Sequence, residues 1–171
     1  MTTHVFTIVL NRQPTETELD AVFSQNDDVA FGVDGSLPIA EFDREAPTLT
    51  EAIVSAVRSL ESVGLVPVRV IDEDLLTLAD IADRIGQSRE SVRRYAAGSR
   101  GPRDFPPPVN PRRDGTLFYR WSEVSPWIRQ NLEIDVTDTD VALVVANLVL
   151  QARQHRDQVA NISALSQLLI A

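Results

Sequence analysis

The chain has 171 residues, of which 43% are hydrophobic and 24% charged, a balance typical of a folded globular protein rather than a disordered one. It has no cysteine, which excludes disulfides, thiolate chemistry and cysteine-ligated zinc. The N-terminus lacks a positively charged start with a cleavable apolar stretch, and the longest apolar run, Val141 to Leu150, is too short to span a bilayer. We therefore expect a cytoplasmic protein with no membrane partner.

The formal net charge of −9 is spread unevenly along the chain, and every basic residue is an arginine. Residues 1–74 carry 4 arginines and 14 acidic residues, a net charge of −10. Residues 75–131 carry 10 arginines and 6 acidic residues, a net charge of +4, and residues 132–171 carry a net charge of −3. Because a phosphate field extends only about 8 to 10 Å in physiological salt, this local excess of arginine indicates nucleic-acid contact in the middle of the chain.

Residues 1–73 follow the order strand, helix, strand, strand, helix, strand. This order predicts an α+β fold that opens with a ferredoxin-like βαββαβ sandwich, a domain for ligand sensing or assembly. The local signals are, in chain order, a β-rich run at 4–10, a capping box at Thr15/Glu18, the hairpin dipeptide Asp34-Gly35, and a second capping box at Thr48/Glu51.

Residues 77–98 predict two short helices joined by a tight turn. A Thr77/Asp80 capping box begins the first helix, Gly86 ends it, and Ser88 caps the second. With Ala82 and Val92 at the contact, the spacing resembles a helix-turn-helix signature. An ordinary helical hairpin with solvated arginines stays open as an alternative. The side chains predicted to face outward are Arg89, Glu90, Ser91, Arg93, Arg94 and Tyr95.

A glycine- and proline-rich connector follows, then a turn at Asp114-Gly115, a short β run from Thr116 to Trp121 and an amphipathic helix. The stretches "RGPRDFPPPV" and "LFYRWSEVSPWI" resemble the winged helix-turn-helix of the excisionase and MerR-like group, in particular helix-turn-helix proteins common in actinobacteria. This resemblance implies a double-stranded DNA-binding domain over residues 74–132. The chain lacks the cysteine loop of metal-sensing MerR regulators, so metal sensing is not expected.

By the same resemblance, Ser88 to Tyr95 would enter the major groove, while four arginines in or beside the wing would meet the sugar-phosphate backbone. Four aromatic residues are predicted to form the core beneath the wing rather than a stacking platform for single strands. Arg120 is expected on the opposite face, where it would reach a phosphate or an acid. The backbone-contacting arginines are Arg100, Arg103, Arg112 and Arg113, and the aromatic residues are Phe118, Tyr119, Trp121 and Trp127.

Residues 133–171 predict a C-terminal helical segment. A Thr137/Asp140 capping box precedes a heptad-like apolar stripe that runs from Val141 to Leu169 over about four heptads. The stripe is suited to pairing with a second copy of the chain, as a homodimer, or to packing back on the same chain. Both readings stay open at this point.

The sequence gives little support for a catalytic site. We therefore expect that the protein is not an enzyme and binds no cofactor. The two histidines, His4 and His155, lie in different segments, and no glycine-rich phosphate loop or metal-ligand spacing is present. The acidic runs Asp27/Asp28 and 72–74 are interpreted as solvated turns and a linker. The sequence therefore predicts a sequence-specific DNA-binding transcriptional regulator. The alternative is an antitoxin or phage-type accessory protein whose acidic N-terminal domain binds a basic protein partner.

Overall fold

The computed structural model describes residues 1–99, 101–110 and 115–170. The fold is a mixed α+β arrangement in two units, Met1–Ile71 together with Ala142–Ala171, and Asp72–Val141. The three-domain division with boundaries after residues 73 and 132 stays a prediction. In chain order the elements are β1 (Thr2–Leu10), α1 (Glu16–Phe23), β2 (Val29–Asp34), β3 (Leu37–Ala46), α2 (Leu49–Ser62), β4 (Pro67–Val70), β5 (Leu75–Leu76), α3 (Leu78–Ile85), α4 (Arg89–Ala96), β6 (Tyr119–Arg120), α5 (Trp121–Leu132), α6 (Val141–Gln154) and a 3-10 helix (Ile162–Leu169).

The first unit is built on a four-stranded antiparallel sheet in the order β2-β3-β1-β4. Burial alternates along β3 from Ala40 to Ala46, which is the two-residue period expected for a strand covered on one face, whereas Ile8, Val9 and Leu10 at the end of β1 are all buried. The buried face packs with α1 and α2 into one apolar core that includes Phe6, Phe42 and Leu60. The predicted strand and helix order of this segment is confirmed element by element.

Local sequence signals explain where these elements begin and turn. Thr15 accepts a hydrogen bond from the Glu18 amide while the Glu18 carboxylate accepts one from the Thr15 amide, so the predicted capping box is confirmed. Thr48 caps α2 through the Glu51 amide. Gly35, in the turn between β2 and β3, has a φ of 61°, a conformation that glycine adopts without steric cost.

A buried arginine on the sheet of the first unit bonds to α2 and to the segment between α1 and β2. Arg44 on β3 is 8% exposed, and its guanidinium donates to both carboxylate oxygens of Asp28, at 2.6 and 2.9 Å. It also donates to Asn26 Oδ1 and to the hydroxyls of Ser55 and Ser59 on α2. The reading of Asp28 as part of a solvated turn is wrong, because its carboxylate is the counter-ion that a buried guanidinium needs.

We expect Asp28→Asn to lower the free energy of unfolding by about 1.5 to 3 kcal/mol at neutral pH, the usual size of hydrogen bonds to a charged group. The hydrogen bonds from Arg44 hold the pKa of Asp28 below its ordinary value. The pair therefore stabilises the fold above the unfolded-state pKa of about 3.9, and this contribution is lost as the pH falls through the lower, folded-state pKa. Urea unfolding followed by far-ultraviolet circular dichroism should show a smaller stability loss between pH 6 and pH 3 in the variant than in the parent. Equal acid slopes would contradict the assignment.

The second unit packs α3, α4 and α5 around a separate apolar core. The two-residue strands β5 and β6 pair antiparallel, with Leu75 opposite Arg120 and Leu76 opposite Tyr119. The predicted β run from Thr116 to Trp121 is wrong in extent, because only Tyr119–Arg120 forms a strand and Trp121 already begins α5. Sequence reasoning also missed β5, which is too short for a two-residue alternation to be visible.

Asp74 connects the start of the second unit to the start of α5. Its side chain is 1% exposed, with Oδ1 accepting from the Ser122 amide at 2.7 Å and Oδ2 accepting from Arg120 Nη1 at 3.1 Å. The Asp74 carbonyl also accepts from the Trp121 amide at 2.7 Å. The interpretation of residues 72–74 as a linker is therefore wrong for Asp74, which caps a helix 48 residues away along the chain.

The C-terminal segment differs from the predicted continuous heptad helix. α6 ends at Gln154, and turns and the 3-10 helix follow. The predicted Thr137/Asp140 capping box is wrong, since α6 begins at Val141 and the Thr137 carbonyl instead accepts from Trp121 Nε1 at 2.8 Å. Within the first unit, Leu150 joins the core and Arg153 pairs with Glu61. None of the helices in the described parts of the chain has the length and apolar character that a membrane span requires.

Candidate nucleic-acid interface

Three local features that the sequence predicted define the ends of α3 and the start of α4. The Thr77/Asp80 capping box is present at the start of α3. Gly86 ends α3 with φ 64° and ψ 32°, the left-handed conformation that permits a sharp change of direction. Ser88 then caps α4 by accepting from the Ser91 amide at 3.1 Å. Three residues therefore separate the end of α3 from the start of α4.

The contact between α3 and α4 is apolar and leaves the charged residues of α4 outside it. Ile81, Ala82 and Ile85 of α3 and Val92 of α4 are all buried in the core of the second unit. A small residue at position 82 lets the two helices approach closely, as the spacing predicted. The arginines of α4 are therefore not needed for packing, and their side chains are available for another role.

The exposed surface of α4 carries three arginines and one carboxylate. Arg89, Glu90, Arg93 and Arg94 are exposed, as predicted for a surface that meets a ligand. Ser91 is half-buried, and its hydroxyl lies 2.9 Å from the Ser88 hydroxyl. The two serines therefore stabilise the first turn of α4, in addition to any contact they make with a partner.

Glu90 binds two of the three arginines at once. Its carboxylate accepts from Nε and Nη2 of Arg93 at 2.7 and 2.8 Å, and from Nε of Arg94 at 3.0 Å. These hydrogen bonds, those from Arg93 first and those from Arg94 second, lower the pKa of Glu90 to about 2, so the carboxylate is ionised at any physiological pH. α4 therefore has three exposed guanidinium groups and one negative charge, which is bound to the guanidinium groups of Arg93 and Arg94.

Tyr95 departs from its predicted place on the exposed surface. Its ring is half-buried, 5.8 Å from the Trp127 ring centroid, and its hydroxyl donates to Gln87 Oε1 at 3.1 Å. Gly101 packs against the same ring, since a Cβ at that position would lie 2.8 Å from Tyr95 Cε1. The prediction that Tyr95 faces outward is therefore wrong, because a large apolar ring at the end of α4 is better accommodated against the core.

Of the four arginines predicted beside the wing, the structure describes Arg103. Its side chain is exposed, and its backbone carbonyl accepts from Trp127 Nε1 at 3.0 Å, which anchors the connector to α5. The Asn110 side chain donates to the Thr116 carbonyl at 2.9 Å and accepts from the Phe118 amide at 2.8 Å. The other three arginines lie outside the described residues; they are Arg100, Arg112 and Arg113. Asp114, the first residue of the predicted Asp114-Gly115 turn, also lies outside them.

The aromatic residues form a core under this region, as predicted, with one exception. Tyr119, Trp121 and Trp127 are buried, and Phe105 packs edge-on against both Tyr119 and Trp127. Phe118 is the exception, with 39% of its surface exposed. Since the rings of Tyr119, Trp121 and Trp127 are covered, they are not available to stack on the bases of a single strand.

Two acidic side chains of the second unit, those of Asp74 and Glu73, pair with arginines. The sequence left two kinds of partner for Arg120, a phosphate or an acid. In the structure Arg120 pairs with the Asp74 carboxylate. Arg84 pairs with Glu73 and lies over the Trp121 ring at 5.1 Å. Across residues 1–99, 101–110 and 115–170, no cluster of three or more histidine, aspartate or glutamate side chains has the geometry to hold a metal ion.

Comparison of the chain with protein-family models, with curated proteins and with solved structures finds no match. The function is therefore argued from the residues and geometry described above.

Proposed function

We propose that the protein is a sequence-specific double-stranded DNA-binding protein that acts as a transcriptional regulator. The observation that carries the proposal is the exposed arginine surface of α4, held by an apolar contact with α3 and a left-handed glycine turn. An α-helix is about 10 to 12 Å in diameter with its side chains, which fits a major groove about 12 Å wide. Arginine is suited to this role because its planar fork binds guanine and phosphate with two hydrogen bonds.

The finer fold assignments belong to the same proposal. For the first unit we propose a ferredoxin-like topology, supported by the strand order β2-β3-β1-β4 and by two helices packed with one face of the sheet. For the second unit we propose a winged helix-turn-helix, supported by the α3–α4 turn and the β5–β6 pair before α5. In this assignment α4 reads base edges, and the connector after it reaches the backbone.

Selection of genomic DNA fragments with the purified full-length protein tests the function directly. We expect recovered fragments to share a motif, and a repeat of that motif at a spacing of about 10 to 10.5 base pairs would indicate a dimer. Recovery of fragments with no shared motif, at the frequency of the input library, would contradict sequence-specific binding.

For the oligomeric state we propose a homodimer formed through α6. Apolar side chains remain about half exposed on one side of this helix, and no charged residue lies between Val141 and Ala152, so two copies meet without like-charge repulsion along the stripe. Light scattering of the parent and of Leu148→Glu, which places a charge in the stripe, tests it. The exposed apolar residues are Val141, Val145, Leu148 and Val149.

A second candidate function rests on one observation in the first unit. Glu41, Asp43 and Glu45 are exposed at alternate positions of β3, so their carboxylates project from the same face of the sheet. Such a face is suited to a basic protein, as in an antitoxin or a phage-type accessory protein. Co-purification of a basic partner that is lost in a variant with all three residues changed to Gln or Asn would favour this function.

The proposed wing gives a prediction about salt dependence. If Arg112 and Arg113 meet phosphates, their replacement by alanine should weaken binding to all sequences equally. It should also lower the slope of log affinity against log salt by about 0.9 for each lost contact. Titration of one labelled duplex between 50 and 200 mM salt measures the slope. A changed sequence preference with an unchanged slope would instead assign these arginines to base edges.

A further inference from the structure

Glu90 is the one acidic residue on α4, and its position among the arginines has a chemical consequence. Its carboxylate accepts hydrogen bonds from Nε and Nη2, which form one edge of the Arg93 guanidinium. It also accepts one from Nε of Arg94. A bidentate pair of this kind restricts the guanidinium to one plane and one direction. Arg93 therefore keeps its Nη1 and Nη2 edge for a ligand, while its Nε edge is occupied.

The Glu90 carboxylate also lowers the net positive charge of α4. α4 carries three arginines, and Glu90 reduces its net charge from +3 to +2. Loose binding to random DNA depends almost entirely on the number of phosphates that cations neutralise, whereas binding to a target also uses short-range contacts to base edges. A negative charge at the centre of the cluster therefore weakens loose binding more than it weakens binding at the target.

Resting on the DNA-binding function proposed above, we propose that Glu90 is a specificity-determining residue, which holds Arg93 and Arg94 back from phosphates and orients Arg93 for a base edge. In this role Glu90 acts through the two arginines and makes no contact of its own with DNA. A carboxylate in the first turn of a helix also stabilises the helix dipole, so the test requires a readout that helix stability does not change.

The test compares Glu90→Gln, which keeps the shape and removes the charge, with Asp83→Asn. Asp83 is exposed on α3, and its carboxylate pairs with neither Arg93 nor Arg94, so this control removes the same charge from the same unit. Two probes are used, a random-sequence duplex and a duplex recovered by genomic selection. For each protein we measure affinity between 50 and 200 mM salt, and circular dichroism reports helix content.

We expect Glu90→Gln to bind the random duplex about three- to tenfold more tightly than Asp83→Asn does at 50 mM salt, with a slope steeper by about 0.9 for each arginine released to a phosphate. Affinity for the selected duplex should rise less, so discrimination falls.

Two other results overturn the proposal, and they are distinguishable. If the parent protein prefers the selected duplex and Glu90→Gln matches Asp83→Asn in affinity and slope, Glu90 is not a specificity residue, although the DNA-binding function stands. If neither the parent nor Glu90→Gln binds any duplex at 50 mM salt, the DNA-binding function and the role of Glu90 fail together.

Discussion

Replacement of Asp74 by alanine is expected to lower the free energy of unfolding of the second unit by about 3 kcal/mol, at the low end of the range for breaking a buried ion pair. The value is at the low end because the Arg120 side chain is one-third exposed and regains water when its partner is lost. The larger part of the cost is the Ser122 amide, which loses the acceptor that now lies 2.7 Å away.

Tryptophan fluorescence measures this effect selectively, because Trp121 and Trp127 are the two tryptophans of the chain and both lie in the second unit. Glu73→Ala is the matched control. Its carboxylate is 73% exposed and forms a surface ion pair with Arg84, which predicts a change of at most about 1 kcal/mol. If Asp74→Ala and Glu73→Ala gave the same urea midpoint, the cap on α5 would not be a stabilising contact.

Several contacts between residues close in sequence were predictable, whereas the contact between Asp74 and Ser122 was not. The capping boxes at Thr15 and Thr77, the turn at Gly86 and the cap at Ser88 each depend on residues within five positions of one another, and all are confirmed. Asp74 and Ser122 are 48 residues apart, and the pattern around Asp74 is that of an acidic linker. A sequence without an alignment gives no signal that pairs them.

Two errors had a local signal that the sequence contained. Glu90, Arg93 and Arg94 stand at spacings of three and four, the spacings at which side chains meet on a helix, so their ion pairs could have been predicted. The prediction of six outward-facing side chains on α4 does not include these pairs. The other is in the C-terminal segment, where the heptad stripe crosses the polar run 153–158 and α6 ends within that run, at Gln154. The long apolar run of α6 masked this interruption.

The candidate site itself was only partly predictable. Exposure of Arg89, Arg93 and Arg94 followed from the helical period, because Val92 fixes which side of α4 is buried. The place of Tyr95 did not follow, since it depends on Trp127 and Gly101, which approach from other parts of the chain. Helical period alone does not show where a bulky ring at a helix end will pack.

Simultaneous replacement of Arg93 and Arg94 by alanine is expected to weaken binding to a selected duplex by about 2 kcal/mol or more, because each base contact is worth about 1 to 3 kcal/mol. Fold stability should change little, since both side chains are exposed and bonded only to Glu90 among the described residues. The loss is increased by Glu90, whose carboxylate would then face the phosphates without a counter-ion.

The matched control is Arg58→Ala with Arg69→Ala, which removes the same charge from exposed positions of α2 and β4 in the first unit. A second variant, Arg93→Lys with Arg94→Lys, keeps the charge but removes the bidentate fork. If α4 reads base edges, the lysine variant should keep the salt slope of the parent and lose its preference for the selected duplex. Retention of that preference by the lysine variant would limit α4 to phosphate contacts, and parental affinity in the alanine variant would exclude α4 from the interface altogether.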